Sequence, residues 1–157
     1  MIIAVIGQSQ CPPALARLAE NVGKEIARRG HTLVCGGMGG VMEAACRGAK
    51  EAGGVTLGIL PGKDKKDANP FIDYPILTAM SHARNAVIVR TADAVIAVGG
   101  KYGTLSEIGL AMSINKPVFG LRTWSIRGVV PVKSPAEALD KIEQKIKSSL
   151  SPDSSRI

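Results

Sequence analysis

The sequence predicts an α/β fold: a mostly parallel sheet of about six or seven strands between two helical layers. Three observations carry this. Short, near-continuous apolar strands alternate with segments of helical period from residue 2 to residue 148. That is the pattern of a parallel sheet buried on both faces. Two strand-to-helix junctions are rich in glycine, at Gly36–Gly40 and at Gly99–Gly103. Finally, 157 residues with 45% apolar content make a single domain whose core needs no cross-links. The expected organisation is one domain over residues 1–150 and a frayed, Ser-rich tail at 151–157.

The elements follow in order. Ile2-Ile3-Ala4-Val5-Ile6 reads as the first strand, and Gly7-Gln8-Ser9-Gln10-Cys11 as the loop after it. Pro12-Pro13 suits a helix start. Leu15, Leu18, Ala19, Val22 and Ile26 then form a helical stripe that Gly30 closes. The second strand is 32–35 and the second helix about 40–52. The third strand is 55–60, and Pro61 to Pro75 is a polar loop. A helix is expected over 80–91, a strand over 94–98, a helix over 104–114 and a strand over 117–120. A short strand near 129–132 and a helix over 135–148 complete the pattern. In such sheets ligands bind beyond the carboxyl ends of the strands, where both glycine junctions and the Gly7–Cys11 loop fall.

Composition narrows the function. Three cysteines, with no C-x-x-C, argue against a disulfide framework or a zinc site and suit a reducing cytoplasm. No metal site is expected, since no His, Cys or acidic cluster has ligand spacing. The apolar N-terminus is too short for a signal peptide, and no segment has the length to cross a membrane. The formal net charge of +7 comes from scattered residues; Lys63, Lys65 and Lys66 are the one tight cluster. Only 3% of the chain is aromatic, so no stacking platform for single-stranded nucleic acid is expected. A basic surface that assists small anionic ligands fits better than a nucleic-acid or membrane partner.

The glycine junctions carry the chemistry. At a strand-to-helix turn, glycines bend the backbone tightly and expose its N–H groups. The helix behind adds its own unpaired N–H groups and the positive end of its dipole. The result is an anion cradle, most often for phosphate. Neither junction is a Rossmann G-x-G-x-x-G, because Met42 stands where the third glycine belongs, and no Gly-Lys-Ser or Gly-Lys-Thr completes a P-loop.

Gly36-Gly37-Met38-Gly39-Gly40-Val41-Met42 resembles the G-G-x-G-G-x-M of the Lonely Guy (LOG) superfamily. Val98 through Glu107 resembles that family's P-G-G-x-G-T-x-x-E, and Arg84 in Ser81-His82-Ala83-Arg84-Asn85 resembles its helix-starting arginine. The resemblance covers roughly residues 1–120 and implies a Rossmann-like nucleotide-site fold. Val98 replaces the usual proline and Asn85 the usual lysine, which looks more like the branch of molybdenum cofactor carrier proteins. The resemblance implies a phosphorylated, nucleotide-like ligand and no resident cofactor. It also implies one of two activities. The first is hydrolysis of the N-glycosidic bond of a nucleoside 5′-monophosphate to base and ribose 5-phosphate, with Arg84 and Glu107 catalytic. The alternative is non-catalytic binding or carriage of a pterin-type molybdenum cofactor. Expected ligand contacts are Gly7, Ser9, Gly36, Gly37, Gly39, Gly40, Met42, Asn85, Gly99, Gly100, Gly103 and Thr104.

Bland explanations stand beside these. Thr104-Leu105-Ser106-Glu107 is a T-x-x-E capping box, in which Glu107 in the first turn would bond the N–H of Thr104. Arg84 could be a surface residue, His82 a surface histidine, and Ser9 and Thr104 helix caps. The glycines could merely permit a turn. Leu105, Ile108, Leu110, Ala111, Met112 and Ile114 make the fourth helix apolar around most of its girth. A second face then needs a partner, so a homodimer or larger even oligomer is expected.

Overall fold

The computed structural model describes residues 1–150, so the tail expected at 151–157 lies outside the described residues. The strands are β1 (Ile2–Gly7), β2 (Thr32–Cys35), β3 (Thr56–Leu60), β4 (Tyr74–Leu77), β5 (Ala94–Val98), β6 (Val118–Leu121) and β7 (Val129–Pro131). The helices are α1 (Pro13–Arg28), α2 (Val41–Glu51), α3 (Arg84–Thr91), α4 (Tyr102–Ser113) and α5 (Pro135–Leu150). The seven strands pair in the order β4-β3-β2-β1-β5-β6-β7, and every pair is parallel. The expected three-layer α/β/α architecture is the architecture observed.

Side chains alternate across the strands and fill two cores. On one face Ile3 and Val5 of β1 and Ile96 of β5 pack with Ala19, Val22 and Ile26 of α1, Ala45 of α2, and Leu139 and Ile142 of α5. On the other, Ala4, Ile6, Val95 and Ala97 pack with Ile88 and Val89 of α3 and Ile108 and Ala111 of α4. The strand order reverses between β1 and β5, and the loops after these two strands border the site described below. No helix of the described residues is long and apolar enough to cross a membrane.

Three elements differ from expectation. The polar stretch 61–75 gives way to an unforeseen strand, β4, paired in register with β3 from Leu57 opposite Tyr74 to Leu60 opposite Leu77. It is a four-residue edge strand containing Pro75, and most of it is exposed. An edge tolerates a residue without an N–H, and a strand without a buried face has no alternation to read. The helix expected over 80–91 splits into a 3₁₀ turn at Ser81–Ala83 and α3 from Arg84. Ala79 and Ser81 sit at φ 55° and 52°, in the left-handed region no α-helix enters. Finally, α4 begins at Tyr102, two residues before the expected Thr104, and this changes the meaning of Glu107.

Candidate functional site

The β1–α1 loop joins the two glycine junctions. The backbone carbonyl of Gln8 accepts from Val41 N–H at 3.0 Å, at the start of α2. Its side-chain Oε1 accepts from Gly100 N–H at 3.0 Å, and its Nε2 donates to the Gln10 carbonyl at 2.9 Å. One loop therefore holds the helix starts on both sides of it. Gly40 makes this closeness possible. Its φ is +64°, and a Cβ there would lie 2.3 Å from the Gln8 carbonyl oxygen.

Between these elements lies a cleft of about 350 Å³, within the size range of small-ligand sites. Arg84, the first residue of α3, lines it with only 9% of its surface exposed. One guanidinium nitrogen donates to the Gly36 carbonyl at 3.3 Å and the other to the Asn85 side-chain oxygen. Arg84 Nε is buried without a partner. Gly36 is the one residue that fits beneath this group, since a Cβ there would lie 2.6 Å from the guanidinium. Asn85 in turn donates to Ser106 Oγ at 3.4 Å, and Ser106 donates to the Gly103 carbonyl at 2.7 Å. Arg84 is thus linked to the first turn of α4.

Glu107 faces the same cleft and is 7% exposed. The N-cap of α4 is Lys101, with no side-chain cap bond. Thr104 is therefore the third helical residue and Glu107 lies in the second turn. The capping box, and the first-turn placement of Glu107, do not occur. Burial pushes its carboxyl up to about 7, and the nearby Arg84 guanidinium opposes the rise. Burial likewise lowers the Arg84 guanidinium, with Glu107 acting against it. A carboxyl near half-protonation at neutral pH and a buried guanidinium share one cleft. The first turn of α4 adjoins them, its N–H groups at Tyr102, Gly103 and Thr104 lacking helical acceptors. This arrangement can hold an anion and exchange a proton beside it.

Of the residues expected at the ligand, Gly7, Ser9, Met42, Arg84, Asn85, Gly103, Thr104 and Glu107 line the cleft. Gly36, Gly37, Gly39, Gly40, Gly99 and Gly100 do not; they shape the loops behind it. The N–H groups of Gly99 and Gly100 are already committed, to the Leu121 carbonyl and to Gln8. The stretch Val98–Glu107 is also one residue longer than the P-G-G-x-G-T-x-x-E pattern it resembles, and Lys101 and Tyr102 both separate Gly100 from Gly103. Gln8, Gln10 and Met38 line the cleft unforeseen; His82, expected as a surface histidine, and Lys101, inside the second glycine junction, line it too. The place of Gln8 between Gly7 and Ser9 was its one available signal. Among the described residues no group of three or more His, Cys, Asp or Glu could hold a metal ion.

With this geometry in hand, the comparisons with known proteins agree with the motif resemblance. A profile of the SLOG cluster4 family matches residues 1–154. An uncharacterized protein of Archaeoglobus fulgidus is 47% identical over 141 residues, covering 89% of this chain and 93% of that one. The cytokinin riboside 5′-monophosphate phosphoribohydrolase of Mycobacterium tuberculosis is 34% identical over 120 residues, 70% of this chain and 64% of the enzyme. The chain therefore spans less than two thirds of that relative. The molybdenum cofactor binding protein from the phototrophic bacterium Rippkaea orientalis superposes with a TM-score of 0.88 at 36% identity. That match covers 92% of this chain and 96% of the other.

Proposed function

The chain belongs to the SLOG cluster4 family, and from that premise we propose that its cleft binds a phosphorylated, nucleotide-sized molecule. The phosphate lies on the first turn of α4, and the cargo is a pterin-type molybdenum cofactor. The observation that carries the ligand class is Arg84: a buried cation on the wall of a cleft, close to the uncapped first turn of α4. Burying a cation costs several kcal/mol unless an anion or hydrogen bonds compensate. A ligand anion supplies that compensation, and Gly36 keeps room for the guanidinium to meet it. Carriage is favoured by the near full-length likeness to a protein whose name states that it binds this cofactor.

A second reading rests on Glu107. A carboxyl at about 7 is in the range for general acid–base work at neutral pH. In a phosphoribohydrolase it would orient the attacking water or stabilise the developing positive charge on the ribose, while Arg84 held the phosphate or assisted the leaving base. The partial match to the mycobacterial enzyme supports this reading. In the carrier, the same carboxyl serves as a hydrogen-bond donor or acceptor to the bound ligand.

One experiment separates the two. The protein is incubated with each nucleoside 5′-monophosphate, and in parallel with molybdenum cofactor released from a molybdoenzyme, then gel-filtered. Carriage predicts molybdenum and pterin co-eluting with the protein and no free base from any nucleotide. Release of base and ribose 5-phosphate, with no molybdenum retained, would establish the hydrolase instead. We further propose a homodimer or larger even oligomer that packs partly through α4, on which Leu110 is exposed, and a cytoplasmic location.

A further inference from the structure

Two of the chain's five aromatic side chains (one Trp, two Tyr, two Phe) stand side by side and exposed at the carboxyl edge of the sheet. Tyr102, the first residue of α4, is 83% exposed, and Trp124, in the loop after β6, is 39% exposed. Their ring centroids are 6.5 Å apart and the planes are inclined by 31°. They form a tilted aromatic pair, and Tyr102 keeps most of its surface open to solvent. Neither contributes to the two cores.

The fold fixes this pair. The Thr123 hydroxyl donates to the Gly99 carbonyl at 2.5 Å, and Gly99 N–H donates to the Leu121 carbonyl at 3.0 Å. The loop bearing Trp124 is thus fastened to the junction that leads into α4. Arg122 turns that loop at φ 51°, a left-handed conformation that is strained for a non-glycine residue. Beside Trp124 lies a separate cavity of about 190 Å³, lined also by Arg122, Thr123, Ser125 and Ile126. It has room for a ring system and not for a whole nucleotide. Tyr102 immediately precedes Gly103 and Thr104, which line the main cleft. Through its contact with Tyr102, Trp124 therefore stands near the turn of α4 on which the phosphate would lie.

We propose that Tyr102 and Trp124 form a stacking subsite for a flat heterocycle, purine or pterin, borne by the ligand whose phosphate lies on α4. This rests on the phosphate-binding reading above and adds where the ring goes: over the aromatic pair, with Arg122 at its rim. The subsite selects ligands by flatness, because every such ring has a π face to stack and stacking reads little else. The sugar or pyran portion, bonded to the ring, then spans from the aromatic pair to the phosphate.

The test compares ligands with and without a ring. Trp124 is the chain's single tryptophan, so intrinsic tryptophan fluorescence reports on this subsite alone. Guanosine 5′-monophosphate, whose 2-amino-4-oxopyrimidine edge a pterin shares, adenosine 5′-monophosphate and ribose 5-phosphate are titrated by calorimetry and by fluorescence. The expected results are quenching of Trp124 by both nucleotides and none by ribose 5-phosphate. Tyr102→Leu and Trp124→Leu should each weaken both nucleotides about tenfold and leave ribose 5-phosphate within twofold. Tyr102 is so exposed that its variant keeps the fold, which a thermal melt verifies. Nucleotide affinities unchanged in both variants, or a lower oligomeric mass in them by light scattering, would overturn the subsite while phosphate binding stood. Failure of all three ligands to bind the wild type would overturn the phosphate reading and the subsite with it.

Discussion

Replacing Glu107 by Gln tests the burial of that carboxyl in the absence of any ligand. The side chain keeps its size and polarity and loses its titration. In the unfolded chain Glu107 releases its proton near 4.5, and in the fold it holds it until about 7. Between those values the folded state binds a proton that the unfolded state has given up. Stability therefore falls as pH rises through this window and levels off above about 7. The loss is about 3 kcal/mol, at 1.36 kcal/mol per unit of pKa difference. Glutamine mimics the protonated form at every pH. Glu107→Gln should thus match the wild type at pH 4 and exceed its stability by about 3 kcal/mol at pH 8. Urea denaturation followed by circular dichroism across pH 4–8 measures the difference. Glu20, Asp73 and Glu143 have lowered pKa values from their basic or hydrogen-bonding partners. They destabilise both proteins equally in acid and cancel in the comparison. A stability difference that stays flat with pH would refute the reasoning, because a carboxylate in water or in a capping box would give no such rise.

The remaining predictions concern the cleft walls. Arg84→Met strands the Gly36 carbonyl and the Asn85 side-chain oxygen, so it should cost about 1–3 kcal/mol in urea denaturation and weaken any phosphorylated ligand at least tenfold by calorimetry. Gly40→Ala would place a Cβ against the Gln8 carbonyl at positive φ and should cost about 2 kcal/mol or more in urea denaturation. Gly103→Ala meets no atom within 4 Å, so it should keep or raise stability by about 0.5–1 kcal/mol. Gln8→Leu strands the Gly100 N–H and should cost about 1–3 kcal/mol, with hydrogen exchange accelerating at Gly100 before it does in β5.

The fold was legible because its strands are buried on both faces. Ala94–Val98 is buried at every position, and such runs announce themselves as apolar sequence. β4 escaped because it is an exposed edge holding Pro75. The site was legible where backbone geometry demands glycine, as at Gly36 and Gly40, and where Arg84 opens a helix. What those glycines do was not: Gly36 makes room for a guanidinium, and Gly40 lets a neighbouring loop approach. The T-x-x-E pattern suggested a cap for Glu107 because helix ends are set by tertiary contacts as much as by local residues. Once α4 starts at Tyr102, the same glutamate is carried one turn inward and buried within reach of the Arg84 charge. Gln8 left no trace beyond its place between Gly7 and Ser9, since its role depends on two junctions far from it in sequence.

Whether an anion is held at the first turn of α4 beside Arg84 is tested most directly by a crystal structure of the protein soaked in inorganic phosphate. The expected result is phosphate accepting hydrogen bonds from the N–H groups of Gly103 and Thr104, within the cleft that Arg84 lines. Phosphate bound only elsewhere on the basic surface, with the first turn of α4 empty at saturating concentration, would contradict it.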